Sequence, residues 1–126
     1  MNDCIFCKIV KGEIPADKIY EDDNILVFLD LFPQCPGQAL VIPKKHCDYF
    51  IKMNDQEYLE LQRTAKNIAS VLERTFQPLR VCLVIEGFDV PHVHVKLFPA
   101  DNMQDLRAKG AKASPCLLSS CTLSVT

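Results

Sequence analysis

Two short runs in this 126-residue chain hold most of the side chains able to do chemistry. The first, His92-Val93-His94-Val95-Lys96, alternates strictly between polar and apolar residues. On an extended strand that alternation sets His92, His94 and Lys96 on one face, ~7 Å apart pair by pair, with Val93, Val95 and Leu97 beneath. Neutral imidazole is a good metal ligand and also a nucleophile toward phosphorus. A lysine in register lowers the pKa of a neighbouring histidine by like-charge repulsion and attracts an anionic phosphate as a point charge. The second run is Cys4-x-x-Cys7, a spacing that lets two thiolates grip one metal. With His46, the chain holds enough thiolates and imidazoles for a tetrahedral Cys2His2 zinc site. Spacing alone does not join ligands scattered over about ninety positions. Buried thiols remain the competing reading of the cysteine pair. A thioredoxin-like redox pair is a weaker one, because that motif sits between a strand and a helix.

Composition narrows the classes. Apolar residues make up 48% and charged residues 24%, values of a folded globule that argue against disorder. The net charge of −2 leaves no basic field to hold a nucleic-acid backbone. No apolar run approaches the ~20 residues needed to span a bilayer, so neither a nucleic-acid nor a membrane partner is expected. Seven cysteines are an odd number and a poor disulfide framework. The chain reads as a reduced protein of the cytoplasm.

The elements that must position these residues follow from pattern and punctuation. Cys4 to Val10 is amphipathic and ends at Gly12, which suits one or two helical turns. Ile25–Asp30 and Ala39–Pro43 are short β-branched runs, preceded by the polar turn Glu21-Asp22-Asp23-Asn24 and separated by Pro33, Pro36 and Gly37. One long helix starts at Asn54, with Glu57 three residues on. It repeats Tyr58, Leu61, Ala65, Ile68, Leu72 and Phe76 at spacings of three and four, and Pro78 stops it. Arg80–Glu86 and His92–Phe98 read as two further strands, joined by a hairpin-length loop over Gly87–Pro91. Strands in hairpin sequence with one inserted helix predict a mostly antiparallel sheet in an α+β domain over residues 1–100. Residues 101–126 change character, lose all charge after Lys112, and are expected to be a tail.

Three segments together resemble one family. Cys4-Ile5-Phe6-Cys7-Lys8-Ile9-Val10-Lys11-Gly12-Glu13-Ile14-Pro15, Leu40-Val41-Ile42-Pro43-Lys44-Lys45-His46 and Val90-Pro91-His92-Val93-His94-Val95 are similar, in this order, to the histidine triad (HIT) family. The similarity runs from Cys4 to about Pro99, some three quarters of the chain. It implies a five-stranded antiparallel sheet with one long helix and a short N-terminal helix, and a homodimer. It also implies hydrolysis or transfer at the α-phosphate of nucleoside phosphoramidates, phosphate esters or dinucleoside polyphosphates, through a nucleotidyl-histidine intermediate. By the same resemblance His94 is the nucleophile, and Cys4, Cys7, His46 and His92 hold a structural Zn2+. Asp30 occupies the place of a ribose-binding carboxylate. Ile5, Phe6, Ile9, Phe28 and Leu31 match the apolar positions flanking a purine base.

Two departures bear on activity. The family's third histidine is Lys96, giving HxHxK. Lysine supplies charge but does not readily shuttle a proton at neutral pH, so retained nucleotide binding with slower turnover is expected. The loop Glu86–Pro91 is short, with Gly87 left to offer a backbone N–H and Asp89 near the usual hydroxyl position, where a carboxylate sits awkwardly beside phosphate. A non-catalytic nucleotide-binding or interaction protein of the same fold is the alternative, and a thiol redox protein the third.

Overall fold

The computed structural model describes residues 3–107. Its elements are α1 (Ile5–Val10), β1 (Lys18–Glu21), β2 (Ile25–Leu29), β3 (Ala39–Pro43), α2 (Asp55–Phe76), β4 (Arg80–Val84) and β5 (Val95–Ala100), with single 3-10 turns at Phe50–Lys52 and Met103–Leu106. The five strands form one antiparallel sheet in the order β1-β2-β3-β5-β4. The expected α+β architecture, with one long and one short helix, is therefore present. No helix among the described residues is long and apolar enough to cross a membrane.

Strand alternation sorts the two faces. Ile25, Val27 and Leu29 of β2, Ala39 and Val41 of β3, and Val95 and Leu97 of β5 pack with the α2 stripe of Leu61, Ala65, Ile68, Val71 and Leu72. Leu26, Phe28, Leu40 and Ile42 point the other way, onto Phe6, Cys7 and Ile9 of α1. Each of the valine, leucine, isoleucine and phenylalanine side chains among them, once buried, contributes roughly 1.5–3 kcal/mol. The sheet is thus covered by a long helix on one face and only a six-residue helix on the other. The thinly covered face is the one left open for a cleft.

Helix α2 begins and ends as its sequence demands. The Asn54 side chain accepts from the Glu57 backbone N–H at 2.8 Å, satisfying one of the free donors of the first turn. At the other end Gln77 turns left-handed, with φ 50°, and its N–H returns to Glu73. Pro78 then blocks continuation.

The strands differ in detail from expectation. Strand β5 starts at Val95, three residues later than the alternation predicts, because the backbone of 92–94 is engaged elsewhere. His92 N–H donates to Val90 and Val93 N–H to Cys47. The inside–outside alternation nonetheless runs through, with Val93 in the α2-side core and His92 and His94 outside it. Pro99 is tolerated in β5 because pairing with β3 stops at Leu97, leaving a neighbour on one side only. The Met103–Leu106 turn brings Leu106 against Cys35, Phe98 and Ala100. Residues 108–126, most of the expected tail with its Cys116 and Cys121, lie outside the described residues.

Gly37, in the β2–β3 connection, has φ +85° and lies against the ring of Phe76, so that a Cβ would come within 2.6 Å of it. Gly12 has a similar φ of +80° with nothing within 4 Å. Gly12→Ala therefore reads backbone strain alone, about 1 kcal/mol. Gly37→Ala adds the cost of moving Phe76, for a total of about 2–3 kcal/mol. Urea unfolding of both variants checks this, and equal losses would remove the Phe76 contact from the account.

Candidate metal centre and active-site cleft

Cys4 is the N-cap of α1 and its Sγ accepts from the Cys7 backbone N–H at 3.4 Å. One helical turn thus places both sulfurs on the same side. His46 follows the end of β3, and His92 precedes β5. Their Nδ1 atoms meet at 3.2 Å. Cys4 Sγ lies 3.3 Å and Cys7 Sγ 3.5 Å from His92 Nδ1, and Cys7 Sγ lies 3.3 Å from His46 Nδ1. All four donor atoms fall within 4.8 Å of one another.

The donor set fits a tetrahedral cation. Ligand bonds of about 2.0–2.3 Å at tetrahedral angles require donor–donor edges of roughly 3.3–3.8 Å. The fully buried His92 turns its Nε2–H to the Pro43 carbonyl at 2.8 Å. That leaves the lone pair on Nδ1, aimed at the sulfurs, and orients the ring from outside the donor shell. Burial also holds the His92 pKa below its ordinary value, so the imidazole is neutral, as a ligand must be. The Cys7 thiol is pushed up, first by burial and then by Cys4. A coordinated cation reverses that, since a coordinating thiol is deprotonated outright.

His94 is 1% exposed, and its Nδ1 lies 2.7 Å from the carbonyl oxygen of His92. A carbonyl only accepts, so Nδ1 carries a proton and, in the neutral tautomer, Nε2 is the nitrogen with the lone pair. The Phe6 ring packs edge-on against both imidazoles, with centroids 5.8 Å from His92 and 5.0 Å from His94. His94 opens onto a cleft of about 290 Å³ over the thin face of the sheet. Its walls bring together Ile5, Phe6, Ile9, Phe28, Asp30 and Leu31 with Asp89 and Lys96. Gly87, also expected at the site, is not among them. Phe32 and Val90 are walls that sequence reasoning did not single out. At one end Asp30 accepts from the Phe32 N–H at 3.0 Å and from Gln38 Nε2 at 2.9 Å. Gln38 is itself buried and accepts from the Gln34 N–H, so the carboxylate is held in place from behind.

Lys96 has two carboxylates against it. Its Nζ lies 2.6 Å from Glu86 Oε2 and 2.7 Å from Asp89 Oδ2. Burial pulls its pKa down, but the two carboxylates more than offset this, and the net shift is upward. Glu86 Oε2 is also 3.8 Å from His94 Nε2. Sequence reasoning missed Glu86, although the register carries the signal. Strand β4 pairs Val84 with Lys96, and the same register, extended, sets Glu86 opposite His94.

Asp89 is held below the usual carboxylate range, first by its hydrogen bond from Lys96 and then by that residue's charge. A carboxyl lowered in the folded state stabilises above its unfolded pKa, and that stabilisation is lost as pH falls through the folded value. The Asp89 side chain is 68% exposed, which limits its contribution to less than about 1 kcal/mol. Asp89→Asn is expected to lose no more than this at pH 7, with the gap to wild type closing below about pH 4. Denaturant titrations at pH 7 and pH 3 measure both.

Comparison with known proteins places this geometry. Residues 11–103 match the HIT domain. An uncharacterised HIT-like protein of Methanocaldococcus jannaschii is 40% identical over 100 residues, covering 76% of this chain and 78% of that protein. An adenosine 5′-monophosphoramidase of Schizosaccharomyces pombe is 36% identical over 100 residues, covering 79% and 75%. The crystal structure of a zinc-bound histidine triad family protein from Mycobacterium smegmatis shares the fold with TM-score 0.74 at 30% identity, covering 80% of this chain and 77% of that one. With the family matched over most of its length and its fold shared, the chain belongs to the HIT domain family.

Proposed function

We propose that this protein is a nucleotidyl hydrolase or transferase of the zinc-containing CxxC kind, with HxHxK in place of the triad. The observation that carries the reading is the His94 ring. Its Nδ1–H is tied to a backbone carbonyl, which leaves Nε2 as the nitrogen available to act as nucleophile, and the residue lines the cleft. A purine nucleotide seated between the apolar walls and Asp30 presents its α-phosphorus to Nε2. The N–P bond forms as the bond to the leaving group breaks, and the leaving group takes a proton from solvent.

Because Nδ1 keeps its proton, the adduct is a phosphoryl-imidazolium. The His92 carbonyl and the Glu86 carboxylate both stabilise its positive charge. Water then attacks phosphorus, the N–P electron pair returns to Nε2, and nucleoside monophosphate leaves. Lys96 supplies positive charge to the phosphate. The phosphoramidase activity named for the fission-yeast relative supports an amine among the leaving groups.

Cys4, Cys7, His46 and His92 would hold Zn2+, which ties α1 to the segment before β5 and serves structure. The protein is expected to act in the cytoplasm as a homodimer. The outer edge of β4, where Leu83 is 45% exposed, is a surface suited to a second copy. A non-catalytic nucleotide-binding protein is the second reading, favoured by one observation: the Lys96 ammonium is occupied by two carboxylates.

Incubation with an adenylyl phosphoramidate and intact-mass analysis separates the two. Wild type is expected to release adenosine monophosphate through an adduct, and His94→Ala to lower kcat by at least about 10³-fold. Bound nucleotide with no adduct and no effect of His94→Ala selects the second reading. For the metal, one equivalent of zinc is expected to raise the melting temperature, and Cys7→Ser to abolish the rise. Unchanged melting in excess zinc would sink the centre.

A further inference from the structure

The Glu86–Lys96–Asp89 cluster is lopsided. Both carboxylates reach Lys96 Nζ at nearly the same distance, 2.6 and 2.7 Å, but they are held differently. Glu86 is 21% exposed in its side chain, and its Oε1 accepts from the Phe88 backbone N–H. Asp89 is 68% exposed on the loop between β4 and β5, so its carboxylate passes into water at little cost. Lys96 is the one lysine or arginine among the described residues lining the cleft. A phosphate approaching His94 Nε2 has no other cation to meet there, and Asp89 already sits on that cation.

We propose that Asp89 is a resident anion on Lys96 which substrate phosphate displaces, and that this exchange selects a phosphate bearing a single negative charge. The inference rests on the nucleotidyl reading given above. In the ligand-free cluster one cation faces two anions. Replacing the Asp89 carboxylate by a singly charged α-phosphate leaves that local balance unchanged, with Glu86 still in place. A doubly charged terminal phosphate brings an extra negative charge within a few ångströms of the Glu86 oxygen, where Coulomb repulsion is only partly screened. Substituted α-phosphates, whose ester or amide bond leaves one ionisable oxygen, are therefore the preferred ligands. A nucleoside monophosphate, doubly charged above its second pKa of about 6, is the ligand the cluster holds poorly. The same charge count that admits substrate helps expel product.

Titration calorimetry at pH 8 tests this with three probes: adenosine, adenosine 5′-monophosphate, and its 5′-phosphate methyl ester, whose methoxide is a poor leaving group. Wild type is expected to bind the ester roughly three- to ten-fold more tightly than the monophosphate. Asp89→Asn is expected to tighten both by a similar factor, since both displace the same carboxylate, so that their ratio, set by Glu86, is kept while adenosine is unmoved. In a Lys96→Gln background the Asp89→Asn gain is expected to vanish, because no cation remains to be freed. A gain that persists there means simple repulsion by Asp89 and overturns the exchange. No gain with Asp89→Asn, an equal gain for adenosine, or a monophosphate preferred by wild type also overturns it. Should Lys96→Gln not fold, the ester-to-monophosphate ratio in wild type and Asp89→Asn decides alone: equal tightening supports the exchange, and a larger gain for the monophosphate means simple repulsion by Asp89 and overturns it. If none of the probes binds any variant, the nucleotidyl reading itself fails, a result distinct from binding that ignores Asp89.

Discussion

The 2.7 Å hydrogen bond from His94 Nδ1 to the carbonyl of His92 is the constraint on which the chemistry proposed for the cleft depends. It fixes which nitrogen bears the proton, and so which nitrogen is free. It also requires the His92 carbonyl to stay put, and the fold secures this from several directions. His92 N–H is bonded to Val90, its ring to Pro43, and the next N–H to Cys47. Phe6, from α1, packs edge-on against both rings. His92 therefore serves in two directions, with its ring among the four clustered donors and its carbonyl holding the His94 ring.

The cleft's electrostatics are unusual for the phosphate-receiving role proposed for it. Two carboxylates share one ammonium beside the His94 imidazole. The S. pombe and M. smegmatis relatives show the family's breadth in phosphoramidase chemistry and zinc binding. If Lys96 stands where the resemblance puts the third histidine, a group that donates and accepts protons is exchanged for one that only donates and is itself paired with two carboxylates. Catalysis here would rest on positioning and on imidazolium stabilisation more than on proton relay.

Much of this arrangement is legible in the residues. The 92–97 alternation carries the division between core and cleft, and it holds even where the backbone is not paired as strand. Helix α2 is readable from its Asn54 cap to Pro78 because cap, stripe and breaker agree. Strand β1 is not readable in the same way: Lys18–Glu21 is four residues at a sheet edge with no fully buried side chain, so it shows no alternation to find. Glu86 escaped for a geometric reason. A loop over Gly87–Pro91 centres the hairpin on Asp89 and would pair Glu86 with His92. The structure centres it on Val90, and a shift of one residue in the centre moves the partner by two. The two carboxylates around Lys96 follow from that displacement and from a loop whose shape is set by Gly87 at φ +76°, neither of which composition reveals.

The donors drawn together at Cys4, Cys7, His46 and His92 also impose an order of assembly. Cys4 and Cys7 meet within a single helical turn, but Cys4 and His92 are 88 residues apart. Closing a loop that long is entropically costly, and the cost is met only when the sheet pairings between them have formed. A partly folded chain thus presents two thiols and no imidazole in range. The complete set exists only once β3 and β5 are side by side, so a cation gripped by all four would act as a late clasp across most of the fold. It would slow unfolding more than it speeds folding.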